Sequence, residues 1–229
     1  MATCDDDNLC SRAGPEVLVD STKAYMAMLI AQYLLALRIG AARGTVDAEL
    51  AARVSHGLHQ LPAALEEVLQ RSDEAEAAAE LVVDAEDMYF IGRGLDYAIA
   101  MEGSLKLKEI SYLHSEAMPA GELKHGTLAL ITEGVPVVVI LTQRSVYDKT
   151  ISAVPEVKAR GGTIIAVAYD TDTEIAKYAD QVIRIPDMED LLAPVAAVVP
   201  LQLMAYHVAR MRGHDIDQPR NLAKSVTVE

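Results

Sequence analysis

Met88-Tyr89-Phe90-Ile91-Gly92-Arg93-Gly94 decides the fold. It is a short apolar run that ends in glycines, and a helical pattern follows it over residues 95–113. Strand, tight turn and helix in that order open a βαβ unit. Residues 135–141 and 163–168 are continuous β-branched runs, and 182–185 is a shorter one. Helical patterns over 147–160 and 191–212 separate or follow them. Strands that are continuously apolar, not alternating, are buried on both faces, so the pattern predicts a parallel sheet with helices on both sides. The α/β part is expected from about residue 84, with a polar tail from Gly213 onwards.

Upstream of that run the chain is helical. Residues 21–42 form one long apolar pattern, with Ser21-Thr22 as a possible N-cap and Gly40 and Gly44 near its end. Leu50, Val54, Leu58, Leu61, Leu65 and Leu69 recur at three-to-four spacing, which predicts an amphipathic helix over 46–69, broken or bent near Pro62. Residues 72–81 are rich in Ala and Glu and read as a third, more solvated helix. No strand is evident here, so residues 1–80 are expected to complete something else. At about 150 residues per domain, 229 residues allow one large domain or one and a half smaller ones. The expected division is a helical segment over 1–80, an α/β domain over 84–213 and a tail over 214–229.

The formal net charge is −14, which excludes a protein that coats nucleic acid or an anionic membrane. It leaves room for a small anionic ligand held by local donors. With 51% apolar residues, one Phe and no Trp, the core must be aliphatic. The two cysteines, Cys4 and Cys10, make no disulfide framework and fit free thiols in a reducing cytoplasm. The start carries neither a basic nor an apolar leader region, so no secretory signal is expected. Residues 24–37 and 191–209 are the apolar stretches to weigh as membrane spans. The first is short and the second contains Pro194, Pro200, Gln202 and His207. Both read as helices buried in a core.

Four segments can carry chemistry. Gly92-Arg93-Gly94 offers backbone N–H groups at a helix start, yet it lacks the third glycine of a dinucleotide fingerprint and the Lys-Ser/Thr of a P-loop. Glu102, Lys106 and Glu109 are spaced four and three apart, so they share one helix face. That face is either a solvated ion-pair ladder or a carboxylate and ammonium aimed at one substrate. In the second case the carboxylate can move a proton between adjacent carbons while the ammonium stabilises an enolate. His125 lies in the polar Gly121-Glu122-Leu123-Lys124-His125-Gly126 stretch, and none of the histidines shows metal-ligand spacing. No metal and no cofactor are expected. A lone Lys224 in a polar tail would ordinarily mean nothing.

Several segments together resemble the isomerase region of the glutamine–fructose-6-phosphate aminotransferase (glucosamine-6-phosphate synthase) family. They are Ala13-Gly14-Pro15-Glu16, Ser21-Thr22-Lys23-Ala24-Tyr25, residues 102–112, 120–130 and 199–207, and the tail Asp217-Gln218-Pro219-Arg220-Asn221-Leu222-Ala223-Lys224-Ser225-Val226-Thr227-Val228-Glu229. The resemblance implies a sugar-isomerase (SIS) fold, a five-stranded parallel sheet flanked by helices. It also implies a reaction that makes glucosamine 6-phosphate from fructose 6-phosphate and ammonia. By position, Lys224 resembles the amine that forms a Schiff base with the ketose. Glu109 resembles the base that shuttles a proton between C1 and C2, and Lys106 its electrostatic partner. His125 resembles the ring-opening residue that reaches a neighbouring subunit, which implies a homodimer. Val19, Ser21 and Ala223 resemble sugar-contacting positions.

Two departures from the family are visible. Its Ser/Thr-rich phosphate loop is not found, since Thr142-Gln143-Arg144-Ser145 lacks the glycine and follows the wrong strand. Asp20 stands where the family usually has a small residue, and is expected to bring negative charge near an anionic sugar. No glutaminase region precedes Met1 in this sequence, so glutamine hydrolysis is not expected of it. The chain reads as the end of a first SIS domain followed by a complete second one, weakly active alone. The alternatives are a non-catalytic phosphosugar-binding SIS module and a stand-alone phosphosugar deaminase or isomerase.

Overall fold

The structure, a computed structural model, describes residues 10–16 and 19–223. Cys4 and Lys224 lie outside the described residues. Three helices come first: α1 (Lys23–Arg43), α2 (Ala48–Gln70) and α3 (Ser72–Val82). They are followed by β1 (Asp87–Gly92), α4 (Leu95–Ser111), β2 (His114–Pro119), β3 (Pro136–Leu141), α5 (Tyr147–Ile151), α6 (Val154–Lys158), β4 (Thr163–Tyr169), β5 (Gln181–Ile185) and α7 (Ala193–Met211). The five strands form one parallel sheet in the order β2-β1-β3-β4-β5. The expected α/β architecture is therefore present.

Strand side chains alternate between two apolar layers, as the pleat requires. Met88, Phe90, Val138, Ile140, Ile165 and Val167 join α3, α4 and α7 in one layer. Tyr89, Ile91, Val137, Val139, Ile164 and Ala166 join α6 in the other. Glycines let helix and sheet approach closely. A Cβ on Gly92 would lie 2.6 Å from the Asp96 backbone carbon, and one on Gly103 would lie 2.6 Å from Leu201 Cδ1. These contacts seat the start of α4 against β1 and its middle against α7.

The structure corrects four expectations. The edge strand β2 was not legible as a strand, because it exposes His114 and Glu116 while burying Ser115 and Met118. The expected helix over 147–160 is two short ones. Pro155 opens the second, and it has no N–H to continue the first. Pro62 was expected to break or bend the helix; α2 runs through it unbroken, with Pro62 on its exposed side. Finally, residues 24–37 are not buried. Gly40 is the only buried residue of α1, while Met28, Leu34, Leu35 and Ile39 are about half exposed. The equally apolar α7 is almost wholly buried, as expected. The difference lies in what covers them: α7 crosses the sheet, whereas α1 rests mainly on α2 and the flank of α7. By length and composition α1 could also cross a membrane.

In a doubly wound sheet the strand order reverses between β1 and β3, where ligands commonly sit at the carboxyl ends. Here that position is filled from within. The Asp96 carboxylate accepts the Thr142 N–H at 2.9 Å, the Gln143 N–H at 3.1 Å and the Thr142 hydroxyl. Asp96 is buried, and burial raises its pKa despite these bonds. Asp96→Ala orphans these donors and is expected to cost about 2–3 kcal/mol. The check is a urea midpoint measured beside that of the parent chain.

Candidate active site

Three of the residues that the sequence marks for chemistry, Glu102, Lys106 and Glu109, lie along the middle and far half of α4. Lys106 Nζ donates to Glu109 Oε2 at 2.7 Å and lies 3.5 Å from Glu102 Oε1, both on its own helix. It also donates to Asp20 Oδ1 at 2.6 Å, from the loop ahead of α1. Lys106, Asp20 and Glu102 are nearly covered, while Glu109 is 24% exposed. The ladder on α4 is thus a buried ion cluster and not a solvated one. The Asp20 carboxylate, expected to bring negative charge near an anionic sugar, is paired with a cation, Lys106.

The electrostatics follow from burial and from these partners. Burial raises the Glu109 pKa, the neighbouring Asp20 carboxylate adds to the effect, and Lys106 opposes it. Burial likewise raises Glu102 against the pull of Lys106. For Lys106 burial alone would lower the pKa, but the hydrogen bonds to Asp20 and Glu109 overcome it and hold the ammonium protonated. Tyr25 of α1 faces the cluster, and burial together with Glu102 pushes its hydroxyl up to about 12.

Ser21 is bound from behind. Its hydroxyl donates to Glu16 at 3.0 Å, and the same carboxylate accepts the Thr22 N–H at 2.8 Å. Glu16 thereby serves the donors at the start of α1. Val19 is half-buried beside Asp20. The cap residue of α4, Tyr112, takes a left-handed φ of 60°. Its hydroxyl accepts the Arg220 N–H at 2.8 Å, the Arg220 guanidinium lies 4.2 Å over its ring, and the His214 ring centre is 4.5 Å away. The start of the tail is therefore pinned one helical turn beyond Glu109. Ala223 is exposed on this tail.

His125 is not brought to this cluster. It sits exposed in a 3-10 turn, Leu123–His125, after β2. The Ala120 N–H bonds to Gly92 O at 2.8 Å, which ties that loop to the start of α4. Glu109 lies fourteen residues farther along α4, roughly 20 Å at the helical rise. Sequence reasoning did not find the partners Asp20 and Tyr25, the anchor Tyr112 or the internal anion Asp96. An acidic residue in the first turn of a helix after a Gly-rich bend was the only available hint of Asp96.

Comparison with known proteins supplies a family. The SIS domain model matches residues 81–212. Over 224 residues the chain is 52% identical to glutamine–fructose-6-phosphate aminotransferase [isomerizing] of Thermus thermophilus, covering 98% of this chain and 37% of the relative. The corresponding protein of Caldanaerobacter subterraneus subsp. tengcongensis is 50% identical, with the same coverage. The chain thus spans a little over a third of the length of these relatives. Among solved structures, the C-terminal domain of glucosamine-fructose-6-phosphate aminotransferase from Francisella tularensis superposes with a TM-score of 0.85 at 40% identity, covering 91% of this chain and 59% of that one. Glucosamine-6-phosphate deaminase from Thermotoga maritima shares the fold, with a TM-score of 0.67 at 22% identity over 92% of this chain and 58% of that one.

Proposed function

The chain belongs to the SIS domain family, and from that premise we propose that it is the sugar-phosphate isomerase part of a glutamine–fructose-6-phosphate aminotransferase. One observation carries the reading. The Arg220–Tyr112 contact fixes the tail one turn from Glu109, and Lys224 follows only four residues later. That contact supports the reading, because the Lys224 amine has to meet a proton-transferring carboxylate. His125 opens the ring of fructose 6-phosphate. The Lys224 amine condenses with the C2 carbonyl and releases water, and ammonia then replaces the lysine at C2. Glu109 takes a proton from C1 and returns it to C2, which yields glucosamine 6-phosphate. Lys106 holds Glu109 and offsets the developing negative charge. Val19, Ser21 and Ala223 line the sugar.

The position of His125, about a helix length from Glu109, supports a homodimer in which it serves the partner's site. The α1 helix supports a tandem arrangement. An apolar helix exposed along its length needs a covering layer, and α7 shows what such a layer does. We therefore read residues 1–80 as the end of a first SIS unit and its connector, 84–213 as a second unit, and 214–229 as the catalytic tail. An acidic, thiol-bearing chain of this kind suits the cytoplasm.

Borohydride trapping tests the reading. Fructose 6-phosphate plus borohydride is expected to leave a reduced sugar adduct on Lys224, seen by peptide mass spectrometry. No adduct at saturating sugar would favour a non-catalytic binding module.

A further inference from the structure

An ammonium has three N–H bonds, and the three that Lys106 owns face three carboxylates: Asp20 at 2.6 Å, Glu109 at 2.7 Å and Glu102 at 3.5 Å. The two short hydrogen bonds, to Asp20 and Glu109, take two of its donors, and the third is directed at Glu102. Two of these partners belong to α4 itself, one turn before and one turn after Lys106, and would accompany the lysine on any copy of this helix. Asp20 is different. It arrives from 86 residues away, closes over the ammonium, and leaves the Lys106 side chain 3% exposed. The groups facing the cluster are Tyr25 of α1, Glu102 and Glu109 of α4, and Asp20 itself.

We propose that Asp20 is a specificity-determining residue, which occupies the Lys106 donor that a sugar oxygen would otherwise take and so sets how tightly the site holds a phosphosugar. This rests on the phosphosugar reading above. Removing the Asp20 carboxylate keeps Lys106 paired with Glu102 and Glu109, so no buried charge is orphaned. The space it vacates borders the ammonium and is the size of a carboxyl group, enough for a sugar hydroxyl. A neutral amide at the same place behaves otherwise, because its oxygen still accepts from Lys106.

The experiment is a titration with fructose 6-phosphate, reading the borohydride-trapped Lys224 adduct in the parent chain, Asp20→Ala, Asp20→Ser and Asp20→Asn. A charge-assisted hydrogen bond freed for the ligand corresponds to about tenfold or more in affinity. Asp20→Ala and Asp20→Ser are therefore expected to half-saturate at about one tenth of the parent's sugar concentration or below. Asp20→Asn is expected to stay within about threefold of the parent. A misfolded variant cannot mimic a gain in affinity. Half-saturation unchanged or weaker in both Asp20→Ala and Asp20→Ser overturns the inference and leaves the phosphosugar reading intact. Equal tightening in Asp20→Asn assigns the effect to charge alone and also overturns it. Absence of adduct in all four proteins overturns the Schiff-base isomerase reading on which this inference rests, and this inference with it.

Discussion

Lys106→Met is expected to destabilise the fold by about 3–5 kcal/mol, the scale for removing one partner of a buried ion cluster. The substitution keeps the length and apolar stem of the side chain, so the loss is electrostatic. Asp20 and Glu102, nearly covered, and the mostly covered Glu109 would be left as three carboxylates without a cation. A urea melt at neutral pH reads the loss. Its pH dependence identifies the cause. Glu102 and Glu109 already titrate above their ordinary range because burial opposes their charge. A carboxyl group raised in the folded state contributes stability below its unfolded pKa and loses that contribution as pH rises through the folded value. Without Lys106 the folded values rise further, so the variant should recover stability on acidification towards about pH 5, relative to the parent. A deficit that stays constant with pH would show that packing, not charge, is what Lys106 supplies.

Glu109→Gln is expected to slow solvent deuterium incorporation at C1 of fructose 6-phosphate by roughly 10²–10⁴-fold, the usual worth of a positioned proton carrier. The amide preserves shape and still accepts from Lys106, so the fold should stand. Deuterium accumulated over hours and read by mass spectrometry reports even slow turnover. The raised pKa of Glu109 adds a signature. The base must be ionised to accept a proton, so the acid limb of the parent's profile should fall above the ordinary glutamate value of about 4.3. An exchange rate in Glu109→Gln equal to that of the parent would remove Glu109 from the proposed reaction.

Much of the fold was legible because the buried strands advertise themselves. Residues 137–141 and 164–168 are apolar on both faces, and no helix pattern competes with them. The edge strand was not legible, since half of His114–Pro119 faces water and its pairing partner, β1, lies elsewhere in the chain. The exposure of α1 was illegible for a related reason. Apolar composition says that a helix needs cover, and only tertiary structure says whether the cover is in this chain. Within the site, the helical spacing of Glu102, Lys106 and Glu109 placed three members of the cluster on one face. The fourth, Asp20, comes from a loop 86 residues away and has no local signature. The resemblance marked its position as unusual, but only the contact with Lys106 explains what its charge does.

The Arg220–Tyr112 contact has a kinetic meaning as well as a positional one. Four residues of chain extend at most about 14 Å, so in the proposed reaction the Lys224 amine would have only a short reach from the Arg220–Tyr112 contact. Such a tether corresponds to a local concentration in the millimolar range or above. Under the proposed Schiff-base reading, the lysine would compete for an arriving ketone as an intramolecular nucleophile, ahead of free amines in solution. Arginine and tyrosine, neither of which reacts, would in this way govern how often the reaction begins.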